Sequence, residues 1–551
     1  MKLSILSNIN VESLISRVSR SYSVYKTEGY GLWVQEITNS NSGLYAFKPD
    51  IVFIILDGAE LIKEQSIERN YKEIRENMQY IEKALSSNPD IIFFINNIDF
   101  WSREIKSVKH GTKERRLEYF WEEFLFDLSN KYRNAYVFDL KSIIEQMGKE
   151  EFYSRKLWYL GGMKFSMKAE RYLELYINRY IDSIKGTRKK CLVLDLDNTL
   201  WGGVVGEVGF NGIELSDYKE GARYKDFQKK LKEIKELGII LAVVSKNNYD
   251  DAMKVIREHP HMVLKEQDFV DFKINWDLKS QNIRALSEEL NITLDSIVFI
   301  DDNPVERESV KRELPEVIVP DFPEDTSQLA DFASKLYWNY FHTIDTTDED
   351  TAKTEIYRQN IKRTEALKTS NSYEDFLNSL DTKITIKAMR QDDIQRASQL
   401  TQKTNQFNLT TKRYNETELL NLLNKEEYDC FVANVIDKYG DNGMVSVIIT
   451  KHYNSEEVEI DTFLLSCRVM GRYIEDQIVE YIEKLYLELG YKKIIAHYKP
   501  TAKNMPVKEL FERLGYTLAE IDELGNKKYL LELGKTETSL RKKFGRLEII
   551  I

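Results

Sequence analysis

Two carboxylates, Asp195 and Asp197, stand directly after the apolar run Cys191-Leu-Val-Leu194. Acidic side chains are poor strand formers and costly to bury unless paired or metal-bound, so their place at a strand end points to chemistry rather than to folding. Spaced by two in an extended chain, they project to one side. Three more polar clusters follow. The run Ile239–Val244 leads into Ser245-Lys246-Asn247-Asn248, and Ile297–Ile300 leads into Asp301-Asp302-Asn303-Pro304. Between them lies Asn275-Trp-Asp-Leu-Lys279. These types fit metal-assisted phosphoryl transfer. A hard cation such as Mg2+ takes several oxygen ligands and keeps waters, and Asp195 and Asp302 supply carboxylates for it. A carboxylate beside the metal can attack phosphorus, while a second one protonates the leaving oxygen and then activates water. A hydroxyl, Ser245, and an ammonium, Lys279, hold phosphate oxygens and offset charge in the transition state.

To bring four clusters to one rim, the strands must lie parallel, because ligands of an open α/β sheet bind at the carboxyl ends of its strands. The short, wholly apolar runs predict strands buried on both faces. The spacing from Asp195 to Ser245 leaves room for a Gly-rich flap (Gly202–Gly212), one helix near Gly221–Leu237 and the next strand, but for no cap domain. The mouth is therefore expected to be open to large substrates. Trp201 is expected either at that mouth or buried beneath the flap.

Asp195-Leu-Asp197-Asn-Thr199, Ser245, Lys279 and Asp301-Asp302 match, in order, the four motifs of the haloacid-dehalogenase (HAD) superfamily. The wording "DLDNTLWGGVVGE", "SKNN", "NWDLKSQNI" and "FIDDNPVER" resembles the FkbH-like family more closely still. That resemblance implies conversion of 1,3-bisphosphoglycerate to a glyceryl thioester on an acyl carrier protein, in polyketide-type biosynthesis. It implies Asp195 as nucleophile and Asp197 as general acid/base. Thr199, Ser245, Lys246, Asn247 and Lys279 are implied to bind phosphate. Asp195, Asp197 (through its carbonyl), Asp302 and Asp301 are implied to hold Mg2+, with Glu306 in support. Two other readings remain open: a Mg-dependent phosphatase of a small metabolite or carrier-bound phosphate, and a scaffold that binds a carrier protein without turnover.

Residues 1–185 alternate strand-like runs (Ile51–Leu56, Ile91–Ile95, Ala135–Leu140) with amphipathic stretches and predict a first α/β domain. Its Ser7-Asn8 after a short strand resembles the start of SGNH hydrolases. That family needs a His with a partner Asp near the domain's end, and Trp158–Ser166 contains neither. His110, with Ser107 before it, is the one His ahead of the central motif. The unit is therefore expected to hydrolyse nothing. The HAD-like domain spans 186–345, a helical linker with the acidic stretch Asp345–Asp350 spans 346–382, and a solvated tail 536–551 ends the chain. Residues 383–535 mix strands with helices as an α+β unit. There "SCRVMGR" (Ser466–Arg472) resembles the acyl-CoA loop of GNAT acetyltransferases, and "TAKNMPVKELFERLGY" (Thr501–Tyr516) resembles the last conserved segment of that fold; the first implies Arg468 and Gly471, and the second Asn504, as acyl- or pantetheine-binding residues. Cys467, between Ser466 and Arg468 at the end of a strand, is the candidate for a covalent glyceryl adduct. The overall class is α/β: a Rossmann-like parallel HAD sheet between an SGNH-like α/β unit and a GNAT-like α+β unit.

The 551 residues carry a formal net charge of −11, which argues against a general nucleic-acid binder. Three cysteines are too few for a disulfide framework or zinc knuckle. Neither a signal-peptide core nor a membrane-length apolar run is visible, so a cytoplasmic protein is expected.

Overall fold

The structure is a computed structural model that describes every residue except 30, 63–65, 106–111, 187, 345, 347–351, 535–542 and 551. His110, Ser107 and most of the acidic stretch 345–350 lie outside the described residues. The chain divides into two compact units, Met1–Ile181 and Asp182–Ile551. The first boundary thus falls four residues before the expected one. The central and C-terminal segments belong to a single unit.

In the first unit, β1 (Lys2–Ser7), β2 (Ser23–Tyr25), β3 (Ile51–Ile55), β4 (Ile92–Asn96) and β5 (Ala135–Phe138) form a parallel sheet in the order β2-β1-β3-β4-β5. Helices such as Ile67–Ser87 and Lys113–Lys131 make the crossovers that parallel strands need. All five residues of β3 are buried, as its apolar run requires. Ser7 is buried and its hydroxyl donates to the Ile55 carbonyl at 2.6 Å, inside the sheet. Within Trp158–Ser166, buried Lys164 pairs with buried Asp57.

In the second unit, β6 (Cys191–Leu194), β7 (Ile240–Ser245), β8 (Phe269–Ile274) and β9 (Ile297–Ile300) form a parallel sheet in the order β8-β7-β6-β9. Strand alternation divides its side chains between two cores. Leu192, Leu194, Leu241 and Val243 enter one with Trp201 and Phe227, while Cys191, Val193, Ala242 and Val244 enter the other with Ile283 and Leu286. Between Asp195 and Ser245 the chain makes the flap and the helix Lys219–Glu236; between Ser245 and Lys279 it makes the helix Tyr249–Glu258 and β8. No cap domain is inserted in either interval.

Among the described residues the C-terminal sheet has eight strands: β10 (Lys383–Ala388), β11 (Tyr428–Asp437), β12 (Gly440–His452), β13 (Glu457–Leu465), β14 (Lys493–Tyr498), β15 (Thr517–Ile521), β16 (Lys527–Glu532) and β17 (Arg546–Ile550). Their order is β15-β16-β14-β13-β12-β11-β10-β17. The tail is not simply a solvated end: β17 pairs in parallel with β10, because Arg546–Ile550 alternates into an edge that β10 leaves open. Strands β13 and β14 pair only over Glu457–Ile460 and Lys493–Ala496. Beyond that, Phe407–Leu409 spans between them: Leu465 N–H donates to Phe407 (3.0 Å), Leu409 N–H to Phe463 (3.3 Å) and Lys499 N–H to Leu409 (2.8 Å). The linker helix Lys353–Thr369 packs Tyr357 and Ile361 against the second core of the central sheet. Its Arg363 grips Asp437 of β11 through two 2.7 Å hydrogen bonds, both groups buried. Breaking such a pair costs about 3–5 kcal/mol, so this helix clamps the two sheets of the unit together.

Candidate active site

Asp195, Ser245 and Asp301 sit where parallel strands of the central sheet end, and Lys279 opens the helix that follows β8. Strand β6 is registered on β9, and the Asp195 N–H donates to the Ile300 carbonyl at 3.0 Å, which sets Asp195 beside the turn that begins at Asp301. Asn303 caps the helix Pro304–Glu313, and Arg307 of its first turns donates to the carbonyls of Asp301 (2.8 Å) and Asp302 (2.6 Å). The acidic turn is thereby fixed from behind. The Asp302 N–H donates to the Thr199 hydroxyl at 3.3 Å, joining this turn to the one after β6. Lys279 opens the helix Lys279–Leu290, and Ser245 closes β7, both buried.

These elements bring Asp195, Asp301 and Asp302 together. Each offers a carboxylate oxygen, and the three oxygens lie within 4.8 Å of one another. The Lys279 Nζ is 2.6 Å from Asp301 Oδ2 and 2.9 Å from Asp195 Oδ1. The second contact is an ion pair without hydrogen-bond alignment, so buried Asp195 Oδ1 has no hydrogen-bond donor. One ammonium against three carboxylates leaves negative charge for a further cation, and an all-oxygen donor set suits a hard divalent one.

Burial first, and charge crowding after it, set the proton affinities of these groups. Burial, and then the charge of Asp195, pushes Asp301 and Asp302 each up to about 6. Asp197 is likewise raised by burial and by Asp195, against the pull of the hydrogen bonds it accepts. Burial works against the Lys279 charge, yet Asp195 and Asp301 outweigh it and hold the ammonium above the ordinary lysine value.

Asp197 accepts from the Trp201 indole (2.8 Å) and the Val205 N–H (3.1 Å) on Oδ1, and from the Asn247 amide (2.8 Å) on Oδ2. Trp201 is wholly buried, which settles its place under the flap rather than at the mouth. Asn247 therefore touches the expected acid/base, and Lys246 pairs with Glu306 at 2.6 Å across the rim. None of these three contacts was expected from the motif order; for Trp201 alone, its spacing four residues after Asp197 was an available signal, and it needed the flap's turn to be read.

The remaining candidates lie on the C-terminal sheet. Cys467 is exposed just after β13, and the Arg468 Nε donates to the Ser466 hydroxyl at 3.1 Å. The Gly471 carbonyl accepts from the Tyr373 hydroxyl at 2.8 Å. Asn504 is wholly buried: its amide donates to the carbonyls of Asn408 (3.0 Å) and Lys499 (2.8 Å), and its oxygen accepts the Thr501 N–H (2.7 Å). It ties the bridging segment 407–409 to the end of β14. The helix Ile474–Glu488 begins with buried Glu475 and Asp476, which face Arg513 rather than an anion.

A four-stranded parallel sheet with an aspartate pair at its central strand end, a lysine and a second acidic turn defines residues 190–334 as a HAD-like phosphatase domain. The family model described as NLI interacting factor-like phosphatase matches residues 190–334. Among solved structures, the N-terminal part of a Bacteroides fragilis protein containing a phosphatase domain complexed with Mg is 28% identical, with a TM-score of 0.57 over 63% of this chain and 94% of that one. A domain from Methanocaldococcus jannaschii (19% identity, TM-score 0.24, 28% of this chain, 100% of that one) and the ribosomal-protein-S18-alanine N-acetyltransferase of Escherichia coli (15%, 0.22, 28% and 96%) are also similar. No curated protein matches the chain significantly. Among the described residues, no helix is long and apolar enough to cross a membrane.

Proposed function

We propose that the protein is an FkbH-like enzyme that uses 1,3-bisphosphoglycerate, removes its ester phosphate, and passes the glyceryl group to the phosphopantetheine thiol of an acyl carrier protein. The observation that carries the phosphatase half is the convergence of Asp195, Lys279, Asp301 and Asp302 at one uncapped strand edge. The family wording of the motifs supports the carrier half. Mg2+ fits the three-carboxylate donor set: Asp195, Asp301 and Asp302 would hold it, and when bound it offsets charge on the phosphate oxygens.

The chain's own groups divide the chemistry. An Asp195 oxygen attacks phosphorus and the bond to the ester oxygen breaks; Asp197 gives that oxygen its proton. A water then attacks the aspartyl-phosphate, Asp197 takes the proton, and inorganic phosphate leaves. Lys279 and Ser245 hold phosphate oxygens throughout. An alkoxide is a poor leaving group and needs the acid, whereas the carboxyl phosphate of the same substrate does not. The carrier thiolate attacks that carboxyl carbon, and its phosphate departs. The absence of a cap domain leaves an open approach for a macromolecular thiol. A transient glyceryl thioester on the enzyme would sit on Cys467, the exposed thiol of the three. The N-terminal unit would serve docking rather than hydrolysis, in a cytoplasmic enzyme.

Intact-mass analysis of candidate carrier proteins, incubated with enzyme, Mg2+ and 1,3-bisphosphoglycerate, tests this reading. A glyceryl increment on the carrier is expected. Phosphate release with every carrier unchanged would reduce the protein to a phosphatase. Full carrier loading by Cys467→Ala would remove the cysteine intermediate.

A further inference from the structure

The site holds one arrangement that the motif order does not assign: three donors converge on Asp197. The flap makes it. Asn198 takes a left-handed φ of 55° and accepts the Gly203 N–H at 2.8 Å, while Gly202 pairs with Glu214 through two backbone hydrogen bonds of 2.8 and 3.1 Å. That turn folds Trp201 back beside Asp197 and seats its ring among Leu200, Tyr224 and Phe227 in the core. An added Cβ on Gly202 would lie 2.9 Å from Glu214 and Tyr224, so the close approach needs glycine. The indole is thus locked by packing on one edge and aims its single donor at Asp197 with the other.

We propose that Trp201 and Asn247 are positioning residues that aim Asp197 as the proton donor to the leaving group. The reading rests on the phosphatase chemistry above. A carboxylate oxygen has two in-plane acceptor sites. On Asp197 Oδ1, the Trp201 indole and the Val205 N–H occupy both. On Oδ2, the Asn247 amide occupies one and leaves the other. A proton on Asp197 therefore sits on Oδ2, at the site that no donor among the described residues faces. When the proton leaves with the ester oxygen, the carboxylate that forms already has three donors in place, so no group reorganises as charge develops. A buried indole N–H needs some acceptor in any case. What distinguishes positioning from simple satisfaction is dependence on the leaving group.

The test is a series of phosphate monoesters from nitrophenyl to alkyl, read as kcat/KM, which reports the steps up to departure of the leaving group. Trp201→Phe keeps an aromatic ring in the core, at the cost of a small cavity, and removes the donor. It is expected to lower kcat/KM for alkyl esters at least about tenfold more than for nitrophenyl phosphate, since only the former need the acid. Asn247→Ala, whose fold is checked by thermal unfolding, is expected to steepen the same plot and serves alone if Trp201→Phe does not fold. A uniform loss across the series in the folded variants, or no loss, overturns the proposal. A wild-type enzyme inert towards every ester would defeat the phosphatase reading itself and the proposal with it.

Discussion

Replacing Lys279 by methionine removes the one ammonium that stands between Asp195 and Asp301, at 2.9 and 2.6 Å, with all three side chains at most 8% exposed. Methionine retains most of the volume, so the change is chiefly one of charge. Removing one partner of a buried ion pair costs about 3–5 kcal/mol, because the other charge is left uncompensated. Here two carboxylates are left, with Asp302 close by. Without added metal the second unit of Lys279→Met should therefore unfold at clearly lower denaturant than wild type, by an amount near that range. Saturating Mg2+ should recover more stability for the variant than for wild type, since it meets a site richer in negative charge. Activity follows a separate scale: losing one preorganised donor to the transition state costs about 100- to 1000-fold in kcat. Denaturant titrations with and without Mg2+, and phosphate release at saturating substrate, measure the two. A metal-free variant within about 0.5 kcal/mol of wild type, or one keeping wild-type kcat, would refute the assignment of Lys279 as the bridging cation.

Three further outcomes follow from the same geometry. Asp302→Ala should weaken Mg2+ binding by calorimetry more than Asp301→Ala, because Asp301 is wholly buried and already bound by Lys279 and the Asn303 N–H, whereas Asp302 is only half-buried; the opposite ranking would exchange their roles. Glu475, pushed up to about 7 by burial and by neighbouring Asp476, has a folded value above its unfolded one. Its contribution is therefore full below pH about 4.5 and lost as pH rises through about 7, on the order of 3 kcal/mol. Glu475→Gln should flatten that decline in thermal unfolding between pH 5 and 8, and an unchanged decline would clear Glu475 of it. A serine-reactive phosphonate should not label Ser7, whose hydroxyl is spent inside the sheet; stoichiometric labelling would contradict this.

The central sheet was legible because strands buried on both faces read as unbroken apolar runs, and because chemistry-bearing residues follow them at once. Short or amphiphilic strands were not. Ser23–Tyr25 has only three residues, and Phe269–Ile274 carries Asp271 and Lys273 in its middle. The tail strand Arg546–Ile550 follows a Lys-rich stretch, and its pairing with Lys383–Lys387 is set by a neighbour more than 150 residues away in sequence. At the site, motif order located Asp195, Lys279 and the acidic turn. It did not reveal that Trp201 and Asn247 both donate to Asp197, since the first contact depends on how the flap folds back and the second on the pairing of β7 with β6. Nor did it reveal that the Asn504 side chain is taken up by backbone groups of the chain and by the Tyr498 hydroxyl.

The account stands on Asp195 as the nucleophile, and trapping the phosphoenzyme tests that most directly. Enzyme mixed with Mg2+ and a phosphate monoester is quenched in acid within the first turnover, digested, and read by mass spectrometry. The expected result is one phosphate on the peptide containing Cys191–Thr199, placed on Asp195 by fragmentation and missing from Asp195→Asn. Phosphate release that persists in folded Asp195→Asn, or a phosphate placed on any other residue, would contradict it.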